Sequence, residues 1–266
     1  MKKDLLLLII AIFINSVSCK EKEKIRITDL HIHIKGDFTI EDAVKKSRAE
    51  NIDYGIVINC GYKFPVHKDS QVDSVLQTLK DYTQFYIGMQ AEGREWVNLF
   101  SKESMDKFDY VFTDGMTFTD EKGRRNRIWI KEETWIDDEQ VFMDYLVNTI
   151  VKILNEEPIQ IYVNPTFLPA QMSDRYDLFW TPERMDKVIQ AAKANNIDIE
   201  INNRYKIPSL QFLKRAKEAG VKFTVGTNNT DSNFSGAEYA VEMIGKCNLT
   251  KEDFYQPVNK RANGQL

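Results

Sequence analysis

The stretch IRITDLHIHI, residues 25–34, decides how the whole sequence is interpreted. Apolar and mostly β-branched residues fill most of it, which is typical of a buried strand. It also holds two of the protein's three histidines, His31 and His33. Side chains two positions apart on a strand share a face. The pair is therefore either a set of metal ligands at a strand end or a structural pair on one face.

Short apolar segments alternate with amphipathic segments along the rest of the chain. The pattern predicts strands at residues 25–34, 54–60, 84–92, 109–115, 159–167, 198–204 and 222–229. It predicts helices near 40–51, 72–79, 138–154, 209–220 and 236–247, and a further helix that opens at residues 181–183. A loop or hairpin is expected after residue 115. About seven β-α units indicate a parallel sheet, closed into a barrel or doubly wound. No glycine-rich phosphate-binding pattern follows any strand, so we expect an α/β fold of the distorted TIM-like (β/α)7 barrel type.

The N-terminal residues are predicted to lie outside this barrel. Two lysines precede ten apolar residues that end at residue 14, which is too short to span a bilayer and is typical of a signal peptide over residues 1–18. Cys19 follows small residues, as in a bacterial lipobox, so we expect lipidation of Cys19 and a charged tether over residues 19–24; ordinary secretion is the alternative. The lipid would anchor the protein in the bacterial cell envelope, on the periplasmic face or the cell surface. Residues 25–266 would form a single domain.

Composition restricts the partners. The chain has 266 residues and a net charge of -4, which gives no electrostatic reason to expect nucleic-acid binding. The predicted partners are instead a small-molecule substrate and, through the lipid, the membrane. Cys60 and Cys247 are the other two cysteines, and their spacing suggests buried thiols rather than a disulfide framework.

Polar side chains stand at the end of every predicted strand. The chemistry of α/β barrels gathers at the carboxyl ends of the strands, so these side chains indicate a functional pocket; solvated loop starts are the alternative. The residues predicted to bind substrate are Asn59, Gln90, Arg94, Asn164, Glu200, Asn202, Arg204 and Asn228.

Two histidines need about one carboxylate more to hold a metal ion for hydrolysis. We expect His31, His33, Glu92 and Asp114 to bind one divalent cation (Zn, Mn or Mg), with a metal-free site as the alternative. His67 and Asp114 are the predicted acid–base groups. The alternatives are a surface role for His67 and a turn role for Asp114, which precedes a glycine.

The segment TDLHIHIKGDF, together with YIGMQAE and DYVFTDGM, resembles the PHP (polymerase and histidinol phosphatase) family of amidohydrolase-like metal-dependent hydrolases. The resemblance places His31 and His33 in the family's HxH motif and implies a distorted seven-stranded barrel. Either Gln90 or Glu92 matches the glutamate that ligates metal in the third strand. The resemblance covers nearly the whole mature chain, but only its first motif, the one that contains His31 and His33, is specific.

Departures from the family pattern occur at the other ligand positions. IYVNP resembles the strand that carries a His-Pro pair, with Asn164 in place of the histidine. VGTNNT resembles the last strand, with Asn228 and Thr230 in place of an aspartate and a histidine. An asparagine carbonyl is a poor ligand for Zn²⁺ or Mn²⁺, so a trinuclear cluster is not expected.

Three functions follow from these residues. The first is a metal-dependent, mononuclear hydrolase for a small phosphoester, amide or lactone, including sugar derivatives. In this hypothesis Arg94, Arg204 or the Arg124–Arg125 pair would hold an anionic group; for Arg124 and Arg125 exposed loop charges are the alternative. The second is a lyase, hydratase or isomerase acting on a sugar-like molecule. The third is a non-catalytic ligand-binding lipoprotein with a degenerate metal site.

Overall fold

Strands and helices alternate along residues 25–265, the part of the chain that the computed structural model describes. The predicted signal peptide, the tether and Cys19 lie outside these residues. The strands are β1 (Thr28–Ile32), β2 (Asp53–Gly61), β3 (Tyr86–Glu92), β4 (Tyr110–Thr113), β5 (Thr117–Thr119), β6 (Arg125–Arg127), β7 (Ile161–Tyr162), β8 (Asp198–Asn202) and β9 (Phe223–Gly226).

Several of the helices begin where the sequence supplies a side-chain cap. They are α1 (Ile40–Glu50), α2 (Asp69–Thr78), α3 (Lys102–Met105), α4 (Glu139–Glu156), α5 (Tyr176–Phe179), α6 (Pro182–Ala194), α7 (Leu210–Glu218) and α8 (Glu238–Cys247). Thr39 and Asp42 form a reciprocal capping box at the start of α1. Thr181 caps α6, which has a proline in its first turn. Within residues 25–265, no helix is both long and apolar enough to cross a membrane.

Seven strands close into a parallel barrel in the order β1-β2-β3-β4-β7-β8-β9. The barrel closes where Asp29 of β1 pairs with Val225 of β9. The prediction of a TIM-like (β/α)7 barrel is thereby confirmed. β5 and β6 form a separate antiparallel hairpin in the segment predicted as a loop or hairpin. Both Cys60 and Cys247 are buried free thiols, as predicted.

Apolar side chains fill the lower part of the barrel interior. The Tyr110 hydroxyl donates a hydrogen bond to the Leu30 carbonyl (2.7 Å), and its ring occupies the space left by the missing Cβ of Gly88. The cluster consists of Leu30, Val57, Tyr110, Phe112, Ile161 and Val163. The polar side chains of the strands therefore collect above this layer, at the carboxyl ends.

A register shift in β1 sets the position of the histidines. The pairing of β1 with β2 slips between Asp29 and Ile32. Leu30 belongs to the barrel interior, whereas Ile32 packs in the outer layer, so the bulge breaks the regular alternation. The His31 ring consequently lies inside the barrel, 4.6 Å from the Phe112 ring between centroids.

Candidate active site

A buried histidine–carboxylate pair lies at the centre of the barrel mouth. His31 Nδ1 is 2.6 Å from Glu200 Oε1, and each residue is 1% exposed. A Cβ on Gly226 would overlap that carboxylate, so a glycine is needed at the end of β9. His31 Nε2 is buried and has no hydrogen-bond partner among the described residues. Buried polar atoms without partners are rare in folded proteins and indicate that a ligand or water binds there.

The surroundings of His31 favour its protonated form. Burial lowers the pKa of the imidazole, but the charge and hydrogen bond of Glu200 outweigh it, and the pKa is raised overall. With Nδ1–H donating to Glu200, Nε2 is the atom that exchanges a proton with a bound molecule.

Glu92 lies on the neighbouring side of the mouth, at the end of β3. Its Oε1 accepts hydrogen bonds from Asn59 Nδ2 (2.6 Å) and Gln90 Nε2 (3.0 Å). Its Oε2 accepts none from the described residues. Burial, reinforced by the charge of Asp114, raises the pKa of Glu92 to about 7. Gln90 Oε1 is a second buried atom without a partner within residues 25–265.

Asn164 links the remaining strand ends. Its Nδ2 donates to Asp114 Oδ2 (3.1 Å), while its Oδ1 accepts from Asn202 (3.0 Å) and Asn228 (3.2 Å). The Asn164 backbone N–H donates to Glu200 Oε2 (2.8 Å). Asn164 adopts a left-handed backbone conformation (φ 49°), which asparagine tolerates better than most residues. The network therefore joins Asp114 to the His31–Glu200 pair.

His33 lies beside His31, with 5.2 Å between ring centroids. Asn229 holds its backbone on both sides, accepting from the His33 N–H (2.8 Å) and donating to its carbonyl (2.9 Å). The ring hydrogen-bonds Asn228, and burial together with the charge of His31 lowers the pKa of His33 well below its usual value. The two histidines are adjacent as predicted, but they differ in protonation.

Arg94, which was predicted to bind substrate, contacts Glu157 and the end of β4. Its guanidinium donates to Glu157 (2.6 Å), to Thr113 Oγ1 (2.7 Å) and to the Asp114 carbonyl (2.8 Å). These bonds hold the guanidinium against the chain at Asp114, while its buried Nε has no hydrogen-bond partner among the described residues, and the predicted role in substrate binding stays a prediction. Glu157 follows α4 rather than a strand, and for that reason the strand-end pattern gave no signal for it.

Other predicted residues lie at the rim or beyond it. Arg204 is exposed and donates to the Asn228 carbonyl (3.3 Å). His67 is exposed and bonds the Phe64 carbonyl of its own loop (2.9 Å), so the structure favours the surface alternative. Arg124 pairs with Asp120 and Asp137, and Arg125 with Glu95, as expected for exposed loop charges.

Two further residues of the site were not predicted. Asp29 is 2% exposed and accepts hydrogen bonds from the backbone N–H groups of His31 and Thr227 (both 3.1 Å) and from the Thr227 hydroxyl. Burial raises the pKa of Asp29 to about 6. Tyr205 donates its backbone N–H to Asn202 Oδ1 (2.9 Å) and extends the site beyond β8. Asp29 appears in the sequence only as the acidic residue before the HxH motif.

The donor set fits a metal ion poorly. Within residues 25–265 no group of three or more His, Cys, Asp or Glu side chains is arranged to hold a metal ion. Glu92 and Asp114 each accept a hydrogen bond from a side-chain amide. Amide neighbours supply neutral oxygens, which are weak ligands for Zn²⁺ or Mn²⁺. The metal site stays a prediction.

Comparisons with known proteins add little to this geometry. No family model matches the chain, and no curated protein matches it. Similar solved structures include a chain from a cryo-EM structure of archaeal ribonuclease P with mature tRNA, at 12% identity over 85% of this chain and 90% of that chain, with a TM-score of 0.42. A Xaa-Pro dipeptidase crystallised with methionine in its active site aligns at 17% identity over 77% of this chain and 41% of that chain, with a TM-score of 0.21. At these TM-scores neither similarity carries an argument, and the resemblance to the PHP family stays a prediction.

Proposed function

We propose that the protein is a hydrolase for a small polar molecule and that its chemistry is acid–base catalysis by His31 and Glu92. The observation that carries the proposal is the free Nε2 of a buried histidine whose other nitrogen is held by a buried carboxylate. An orienting carboxylate fixes the tautomer and stabilises the imidazolium, as in other histidine–carboxylate catalytic pairs.

The two groups have complementary protonation states. The imidazolium of His31 is the proton donor to the leaving group, through Nε2. Glu92 is the base that takes a proton from the attacking water, through the unpaired Oε2. A base with a pKa near the working pH is the most effective one, and the pKa of Glu92 is about 7. The bond from water to the substrate forms as the bond to the leaving group breaks: Glu92 takes one proton from the water and His31 gives one to the leaving group. Glu92 then releases its proton to solvent and His31 takes one up, which restores the starting states.

The neighbouring residues position these groups. Asn59 and Gln90 hold Glu92 Oε1 and direct Oε2 away from them. Asn164 and Arg94 hold Asp114, whose charge raises the pKa of Glu92. No step of this mechanism uses a metal ion, in keeping with the poor fit of the donor set.

A substrate panel tests the proposal. The full chain is assayed with 4-nitrophenyl esters, 4-nitrophenyl phosphate, sugar lactones and N-acyl amino acids, and the products are identified by mass spectrometry. For any compound that is turned over, His31→Asn and Glu92→Gln are expected to lower kcat about 100-fold or more. The matched control is His67→Asn, which changes an exposed histidine and is expected to leave kcat unchanged. Loss of activity in His67→Asn, or full activity in His31→Asn, would contradict the proposal.

A further inference from the structure

A cavity of about 510 Å³ lies near the proposed catalytic site, on the side of β7 and β8. Its wall is formed by the segment after the β5–β6 hairpin, the chain after β7 and the chain after β8. The residues used below are Trp129, Lys131, Phe167, Ser173, Tyr205 and Lys206. This volume is within the range that small-molecule sites occupy in proteins.

Aromatic faces dominate one side of the cavity. Phe167 and Tyr205 pack edge to face with 4.8 Å between centroids, and Trp129 is 42% exposed at the edge. The Tyr205 hydroxyl has no hydrogen-bond partner among the described residues, and Ser173 adds a second hydroxyl to the wall. Flat apolar faces next to hydroxyl groups suit a ring that has both C–H faces and hydroxyl groups of its own.

The charge of the cavity is positive although the protein is acidic overall. Lys131 and Lys206 both line it, no carboxylate lines it, and neither lysine forms a salt bridge within residues 25–265. The chain as a whole has a net charge of -4. Two unpaired ammonium groups at one cavity favour a ligand that carries an anionic group.

Hydrogen bonds connect the wall of the cavity to the proposed catalytic site. Tyr205 lines the cavity, and its backbone N–H donates to Asn202, whose own side chain donates to Glu200 (2.9 Å). Lys206 lines this cavity and also a second one, of about 500 Å³, that includes Arg204 and Asn228. The wall of the cavity is therefore joined by direct hydrogen bonds to the carboxylate that holds His31.

We propose that this cavity binds a hexuronate, the carboxylated form of a hexose ring, as the part of the substrate next to the bond that is cleaved. The aromatic faces take the C–H face of the ring, the hydroxyl side chains bind its hydroxyl groups, and Lys131 and Lys206 bind the carboxylate. The assignment to a substrate subsite rests on the proposed hydrolase function, whereas binding itself does not.

Isothermal titration calorimetry with the full chain tests the proposal. The ligands are galacturonate and glucuronate, the neutral hexoses galactose and glucose, and the flat aromatic acid 4-hydroxybenzoate. We expect a hexuronate to bind at least about tenfold tighter than its neutral hexose, since a charge-assisted hydrogen bond distinguishes them. Trp129→Ala and Lys206→Ala should each weaken hexuronate binding by about tenfold. Trp135→Ala is the matched control, because Trp135 is an exposed tryptophan (47%) of the same segment outside the cavity wall.

Each alternative outcome overturns the proposal. Equal affinity for neutral hexoses would show that the cavity does not need an anionic group in its ligand. Tighter binding of 4-hydroxybenzoate would show that the cavity prefers an aromatic acid to a sugar acid. The absence of hexuronate binding, or its loss in Trp135→Ala, would also contradict it. His31→Asn is titrated in parallel and is expected to bind normally. Hexuronate binding without hydrolysis of any hexuronoside would count against the proposed function alone.

Discussion

His31 and His33 are equivalent in the sequence but not in the structure. Their proximity was predictable, because residues two apart on a strand share a face. The partner of His31 was not, since Glu200 is brought to it only when β8 and β9 close the barrel against β1. The sequence pattern placed Glu92 and Glu200 at strand ends without indicating which carboxylate would bond the ring.

The first prediction concerns the Glu200 carboxylate. Replacing it with glutamine removes the charge that raises the pKa of His31, so this pKa should fall in Glu200→Gln. The chain has three histidines, and an NMR titration of their ring protons can resolve each of them. An unchanged titration of His31 would show that Glu200 does not act on it.

The second prediction concerns the backbone conformation of Asn164. Asn164→Ala removes three side-chain hydrogen bonds and leaves a left-handed backbone that alanine disfavours. Asn164→Gly removes the same bonds without that penalty. Urea unfolding should therefore find the alanine variant less stable than the glycine variant by about 1 kcal/mol. Equal stabilities would mean that the left-handed conformation has no cost at this position.

At the scale of the elements, helices were predicted more closely than strands. Both limits of α1 and α8 lie within two residues of the predicted ones, and α6 begins at the predicted proline, because caps and prolines mark helix ends locally. The fifth predicted strand, residues 159–167, pairs only at Ile161–Tyr162. The chain leaves the sheet there because Asn164 turns into the left-handed region. The bulge in β1 likewise depends on pairing with β2 and has no local signature.

The third prediction concerns the first residue of β8. Burial raises the pKa of Asp198 to about 6, with Lys222 opposing it. Because the folded state holds this proton more tightly than the unfolded chain, the contribution of Asp198 to the free energy of unfolding should fall as the pH rises from about 4 to about 6 and stay level above that.

Asp198→Asn removes this titration. At pH 8 the variant should be more stable than the wild type by about 1–3 kcal/mol, and the difference should vanish below about pH 4. Urea unfolding across this pH range measures it. Asp109→Asn is the contrasting variant. Asp109 forms an ion pair with Arg261 (3.0 Å), so the loss of that pair should make the Asp109→Asn protein less stable than the wild type. A pH-independent effect of Asp198→Asn would contradict the prediction.

At the scale of the whole molecule, the sequence was sufficient to predict the barrel and the meeting of the polar strand ends at its mouth, where the candidate site lies. Seven alternating units with polar strand ends predicted both, and the structure brings the residues from β1, β2, β3, β4, β7, β8 and β9 to one mouth. Long-range pairs such as Arg94–Glu157 could not be predicted, because Glu157 lies 63 residues away, at the end of a helix. The aromatic cavity also needs three distant segments to meet, and no segment signals it alone.

The last prediction concerns the reaction itself and tests the central claim, that His31 and Glu92 carry out proton transfer without a metal ion. The measurement is the pH dependence of kcat/KM for a substrate found in the panel, with the wild type after EDTA treatment and dialysis. We predict a bell-shaped profile that rises with ionisation of Glu92 and falls with deprotonation of His31. The treated wild type should keep its activity, and Glu92→Gln should lose the rising limb. Loss of activity on EDTA treatment, restored by Zn²⁺, Mn²⁺ or Mg²⁺, would contradict the account and support the metal-dependent hydrolase.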